Sequence, residues 1–156
     1  MVKMIKSENL LYPRFLEKLK DVQKEFNEQT GHRILIHETY RLPERQQWLY
    51  ELGRTRKGRV VTNTLASTHF LGLSCDFVGD ISPAPGIQGP YDIDWNKLGA
   101  IVLSKGLVWG GNFKSRDMVH VEMRGPYTVK DLFEMVEQHG ILYLWNKLEG
   151  YYGQGT

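Results

Sequence analysis

The sequence predicts an α+β domain, a small and mainly antiparallel sheet flanked by helices, and three patterns carry that expectation. Helix-period apolar spacing opens the chain at Phe15, Leu16, Leu19, Val22 and Phe26. Strand-period alternation follows at Leu73, Cys75 and Phe77, and again at Val119, Val121 and Met123. Helix start and stop signals punctuate the stretches between and after them. At 156 residues the chain suits one domain with one core, since domains commonly run to roughly 100–150 residues.

The first helix is expected from Pro13 to Gln29, apolar on one face and ended by Gly31. Arg33 to Tyr40 is rich in Ile and Tyr and fits a strand. Pro43 suits the first turn of a helix running to about Leu52. From Gly53 to Thr68 large apolar residues are few, and Arg54, Arg56, Lys57 and Arg59 mark an exposed loop, with a short strand at Val60-Val61. In the strand that follows, Leu73, Cys75 and Phe77 take the apolar face, so Asp76 points away from the core. A Pro- and Gly-rich loop from Ser82 to Pro90 leads to Asp94, placed to cap a helix from Trp95 to Lys105 that Gly106 stops. Val119, Val121 and Met123 alternate with His120 and Glu122 on the opposite face. A last helix runs from Thr128 to His139, extended by Tyr143, Leu144 and Trp145 packing back on the core.

Composition excludes several classes. A hydrophobic fraction of 41% with 24% charged residues is ordinary for a globular chain. Twenty Lys and Arg against eighteen Asp and Glu leave a net charge of +2, which argues for no nucleic-acid partner. Cys75 is the only cysteine, so neither an intramolecular disulfide nor a cysteine-built zinc site is available. The first residues lack the apolar run of a secretory signal, and no stretch approaches the ~20 apolar residues of a membrane span. The expectation is a protein made in the cytosol without a signal peptide and without a membrane span.

His69, just before the strand at Leu73–Phe77, and His120, on the polar face of the next, join Asp76 as candidate metal ligands. Two imidazoles and a carboxylate are the protein ligand set of a catalytic zinc, which leaves a further position to water and lowers its pKa towards ~7. A proton acceptor is then needed. Asp117 is three residues before His120, so on a regular strand the two would face oppositely, and a base role requires a turn between them. The run Gly110-Gly111-Asn112-Phe113-Lys114-Ser115 makes room for one. The alternatives are an Asp117 that only caps a turn and an Asp76 that only faces solvent. Glu122 is either a partner of His120 or an exposed salt-bridge residue. His32, His37 and His139 are assigned to surface or packing, Cys75 to the core, and Trp109 to the core or a cleft wall.

The run Ser67-Thr68-His69-Phe70-Leu71-Gly72-Leu73-Ser74-Cys75-Asp76 resembles the S-x-H-x-x-G-x-A-x-D signature of the D-alanyl-D-alanine carboxypeptidase-like zinc peptidases, with Ser74 in place of alanine. Asp117-Met118-Val119-His120 resembles their second signature. Thr39-Tyr40-Arg41, Glu44-Arg45-Gln46, Gly53-Arg54-Thr55, Val61-Thr62-Asn63 and Trp109-Gly110-Gly111 resemble the L-alanyl-D-glutamate endopeptidase branch found in phage endolysins. The resemblance implies a hedgehog/D-Ala-D-Ala-peptidase-like fold and a single zinc peptidase domain over residues 1–156; proteins of this kind often carry a separate wall-binding module, and none is expected in the residues after Arg124. It also implies Zn2+ on His69, Asp76 and His120, Asp117 as base, and Arg41 as the cation facing the developing oxyanion. The expected substrate is the peptidoglycan stem peptide, cut between L-Ala and D-Glu, by an enzyme that reaches the cell wall after holin-type release. The competing expectations are a D,D-carboxypeptidase or dipeptidase acting on D-Ala-D-Ala, and a non-catalytic binding module on the same fold. The basic loop from Arg54 to Arg59 is expected to lie beside the cleft and pair with the free carboxylate of D-glutamate.

Overall fold

Residues 2–81 and 89–153 are described by the computed structural model, and among them five α-helices surround a sheet of four antiparallel strands. In α1 (Pro13–Thr30) the side chains of Phe15, Leu19, Val22 and Phe26 are fully buried, because their spacing keeps them on one face while charged residues hold the other. Pro13 occupies the first turn, where its missing N–H costs no helical bond, and Gly31 closes the helix in the left-handed region at φ 75°.

β1 (Ile34–Glu38) pairs with β2 (Ser74–Gly79), β2 with β4 (His120–Glu122), and β4 with β3 (Val108–Trp109), in the spatial order β1-β2-β4-β3. Cys75, Phe77 and Val121 point to one face and are buried in a core shared with α1 and with Leu98, Ile101 and Val102 of α3 (Trp95–Ser104). Asp94 caps α3 by accepting from the Lys97 N–H at 3.0 Å. Trp109 belongs to that core, not to the cleft wall. Its ring lies against the backbones of Gly99 and Gly111, where an added methyl would come within 2.3 and 2.2 Å of it.

α2 (Pro43–Glu51) follows β1. After β4, Thr128 and Asp131 form a reciprocal cap at the start of α4 (Val129–His139). The chain then turns at Gly140, φ 87°, into a separate helix α5 (Ile141–Tyr152), where the sequence had suggested an extension of α4. Leu144 and Leu148 are buried, and Trp145 stacks near Tyr12 at 5.5 Å and donates Nε1–H to the Leu71 carbonyl at 2.9 Å. Val60 and Val61 are exposed and form no strand, since they lack a neighbour to pair with. The Ser82–Pro90 loop lies outside the described residues except for Gly89 and Pro90. No helix among the described residues is long and apolar enough to cross a membrane.

Candidate metal centre and cleft

The sheet register places Asp76 between Glu38 on one side and His120 on the other, so three strands contribute to one row on the face opposite the core. Alternation alone would set His37 opposite Asp76. A bulge between Ile36 and Glu38 inserts one residue and brings Glu38 there instead. His69 reaches the same row from the 3-10 turn Thr68–Leu71, in which its own N–H donates to the Ser67 hydroxyl and which ends at Gly72 with φ 69°. A Cβ at Gly72 would lie 2.7 Å from the Leu10 carbonyl oxygen and 3.1 Å from Trp145, so glycine lets this turn seat against the N-terminal segment and α5.

His69 Nε2 is 3.5 Å and His120 Nδ1 is 3.4 Å from Asp76 Oδ1. Neither contact is a hydrogen bond, and Oδ1 is a buried oxygen without a hydrogen-bond partner among the described residues. A common cation fits these separations. Ligand atoms bound at ~2.0–2.2 Å in a tetrahedron stand about 3.3–3.6 Å apart. His69, Asp76 and His120 are the group among the described residues whose donor atoms converge this way, all within 4.8 Å of one another.

The far side of each ring is held. His69 Nδ1 faces the Thr39 carbonyl at 2.6 Å, and since a carbonyl only accepts, the proton sits on Nδ1 and Nε2 is left free to ligate. His120 Nε2 lies 2.6 Å from Glu122 Oε1, which leaves Nδ1 towards Asp76. Glu122 is buried, not an exposed salt-bridge residue, and also accepts from Arg124 Nε and, at 3.3 Å, from the Thr68 hydroxyl. Burial opposes the charged forms here, but the charges compensate one another. The two histidines hold Asp76 well below the usual carboxylate range, and Asp76 and Glu122 outweigh burial to raise His120 to about 10. The centre therefore demands positive charge, which a proton on His120 or a metal ion in its place can satisfy.

Arg41 extends its guanidinium to 3.6 Å from Asp76 Oδ2. Glu38, only 2% exposed, fixes it by accepting from Arg41 Nε at 2.7 Å and also pairs with Arg45 at 3.3 Å. Gln46 accepts from Arg41 Nη1 at 2.8 Å and donates to the Thr64 carbonyl at 2.7 Å, so one buried amide ties the arginine to the cleft loop. Sequence reasoning missed Glu38, and it quoted Arg45 and Gln46 only as part of the endopeptidase-like stretch, without this role. The available signal was a carboxylate followed by arginines three and seven residues later, a spacing that on a regular strand and helix would not converge.

The chain turns between Asp117 and His120, as the base role requires: His120 N–H donates to the Asp117 carbonyl at 3.2 Å and Asp117 N–H to the Gly110 carbonyl at 2.9 Å. Gly110 permits this closure, because a Cβ there would fall 2.3 Å from the Asp117 carbonyl oxygen and 2.9 Å from His120 Cβ. The Asp117 side chain lines the cleft, and loss of hydration followed by repulsion from Asp76 raises its pKa. The cleft measures about 740 Å³ and its walls include His69, Asp76, Asp117, His120 and Arg41. His37 also lines it, whereas His32 and His139 do not. The basic loop differs from expectation. Arg54 is tied to the Tyr50 and Thr62 carbonyls and stacks on Tyr50, and Arg56 pairs with Glu51, so the cleft takes its other cations from Arg116 and Arg124.

Residues 61–123 match the model of a family described as D-alanyl-D-alanine carboxypeptidase. Over 103 residues the chain is 34% identical to the peptidoglycan L-alanyl-D-glutamate endopeptidase CwlK of Bacillus subtilis (strain 168), covering 60% of this chain and 62% of that protein. The chain thus spans about three-fifths of the length of this curated relative. The crystal structure of the Serratia marcescens L-Ala D-Glu endopeptidase ChiX shares the fold, with a TM-score of 0.54 at 19% identity over 76% of this chain and 84% of that one.

Proposed function

We propose, from the match of residues 61–123 to the D-alanyl-D-alanine carboxypeptidase family and the likeness to CwlK, that the chain is a zinc-dependent peptidase of that family cutting the L-Ala–D-Glu bond of the peptidoglycan stem peptide. The observation that carries the reading is the buried, unpartnered Asp76 Oδ1 between two ring nitrogens, in a cleft that also presents Asp117 and Arg41. His69 Nε2, Asp76 and His120 Nδ1 would hold the zinc, which when bound would supply Lewis acidity and a water nucleophile near neutral pH. Asp117 accepts the proton released as water attacks the scissile carbonyl and returns it to the leaving amine nitrogen. Its raised pKa suits a group that must both take and give a proton. Arg41, oriented by Glu38 and Gln46, faces the oxygen on which negative charge develops.

Arg116, exposed on the cleft wall and without an ion pair among the described residues, is the group placed to meet the free carboxylate of D-glutamate. The same proposal includes an endolysin-like role in which the enzyme, released from the cytosol, acts on the wall. The test is digestion of purified muropeptides, with products identified by mass spectrometry and amino-group labelling. New L-alanine carboxyl and D-glutamate amino termini are expected. Release of D-alanine or of D-Ala-D-Ala as the main product would replace the endopeptidase reading with a D,D-peptidase one, and no cleavage by zinc-loaded protein would leave a binding module.

A further inference from the structure

Beside the His120 ring, running from the cleft wall at Thr68 and Glu122 inward to Ser74, lies a network of buried polar groups that the reaction does not use. Ser74 and Thr68 have hydroxyls in mutual hydrogen-bond contact, Thr68 Oγ1 is 3.3 Å from Glu122 Oε1, and the same oxygen is 2.6 Å from His120 Nε2. Ser74, Thr68 and Glu122 are 0%, 4% and 3% exposed, so their polar atoms rely on one another for hydrogen bonds. The donors can be ordered. Ionised Glu122 only accepts, so its partners Thr68 O–H and His120 Nε2–H both donate to it. A threonine has one hydroxyl proton, and with that proton given to Glu122 the Thr68 oxygen can only accept from Ser74.

We infer that Thr68, locked by Ser74, is a positioning residue for the metal-binding ring of His120, acting through Glu122. An alanine at position 74, which the family signature carries, could not supply this last donor. With it, the two hydroxyls of this network donate in one sense only, which fixes the Glu122 oxygen and keeps the His120 proton on Nε2 with the Nδ1 lone pair towards Asp76. Without the Thr68 hydroxyl, Glu122 Oε1 loses one of its two donors and can swing within its pocket. Ser74 and Glu122 are cross-strand partners in the β2–β4 register, so the geometry is set by the same pairing that aligns Asp76 with His120.

The inference rests on the zinc reading above, and the experiment separates the two. Zinc dissociation constants are measured on the whole chain by competition with a chromophoric chelator. Thr68→Val, nearly isosteric, should weaken binding about tenfold and Ser74→Ala about threefold, while Thr68→Ser, which keeps the hydroxyl, should bind as wild type. Acting through Glu122, Thr68→Val should add nothing in a Glu122→Gln background, and Ser74→Ala should add nothing in a Thr68→Val background. Wild-type affinity in Thr68→Val, or a full loss that persists in the Glu122→Gln background, overturns the inference alone. A wild-type chain that binds no zinc overturns the zinc reading and this inference with it.

Discussion

Asp117 is the residue on which binding and chemistry separate. It lines the cleft without being one of the three groups whose donor atoms converge, and its carboxyl is pushed up by lost hydration and by Asp76. Asp117→Asn should therefore keep zinc at the wild-type level and lose turnover by a factor of about 10²–10⁴, measured as kcat on muropeptides beside metal analysis of the same sample. Loss of zinc in that variant would make Asp117 a ligand. At this scale much was legible from residue type and parity alone: Asp76 and His120 fall on the polar face of their strands, and the need for a turn after Asp117 follows from an odd spacing. Glu38 was not legible. A single inserted residue in β1 exchanges it for His37 beside Asp76, and bulges leave no periodic trace in five residues of strand.

Among the elements, the turn from Gly110 to His120 carries the most consequence per residue. A methyl at Gly110 would meet the Asp117 carbonyl oxygen at 2.3 Å, and that contact is with backbone, which cannot rotate away as a side chain can. Gly110→Ala should displace the turn, cost about 1–3 kcal/mol in urea unfolding, and depress activity beyond what the lost stability explains at temperatures where the variant is folded. Wild-type activity in a folded Gly110→Ala protein would show that Asp117 does not depend on this closure. Elements with strong periodicity, such as α1 and β2, were readable because their burial is one-sided. The two-residue β3 is too short to alternate, and α5 is separated from α4 only by Gly140, so its independence depends on the tertiary docking of Trp145 onto Leu71.

For the molecule as a whole, the contact between its first and last helices sets an acid-sensitive term. Arg14 and then Tyr12 hydrogen-bond Glu149 and hold its carboxyl down to about 2, from an ordinary value of 4.5. A folded-state pKa below the unfolded one adds stability above pH ~4.5, and that stability drains away as the pH falls towards 2. Glu149 is half exposed and Arg14 about a quarter, so water screens the pair; Glu149→Gln should cost no more than about 1 kcal/mol at pH 7, and the difference from wild type should vanish near pH 2. Urea midpoints at several pH values check this, and a difference that grew on acidification would contradict it.

The core face of the same sheet offers an opening for labelling. Cys75, the only thiol, is fully buried behind Asp76, and burial followed by the Asp76 charge pushes its pKa well above the usual value, leaving it almost wholly protonated and out of reach of alkylating reagents. The native chain is thus chemically silent towards maleimides. A cysteine introduced at an exposed position such as Leu142 or Tyr91 would be its sole reactive thiol, so a fluorophore or spin label can be attached without first removing a natural one.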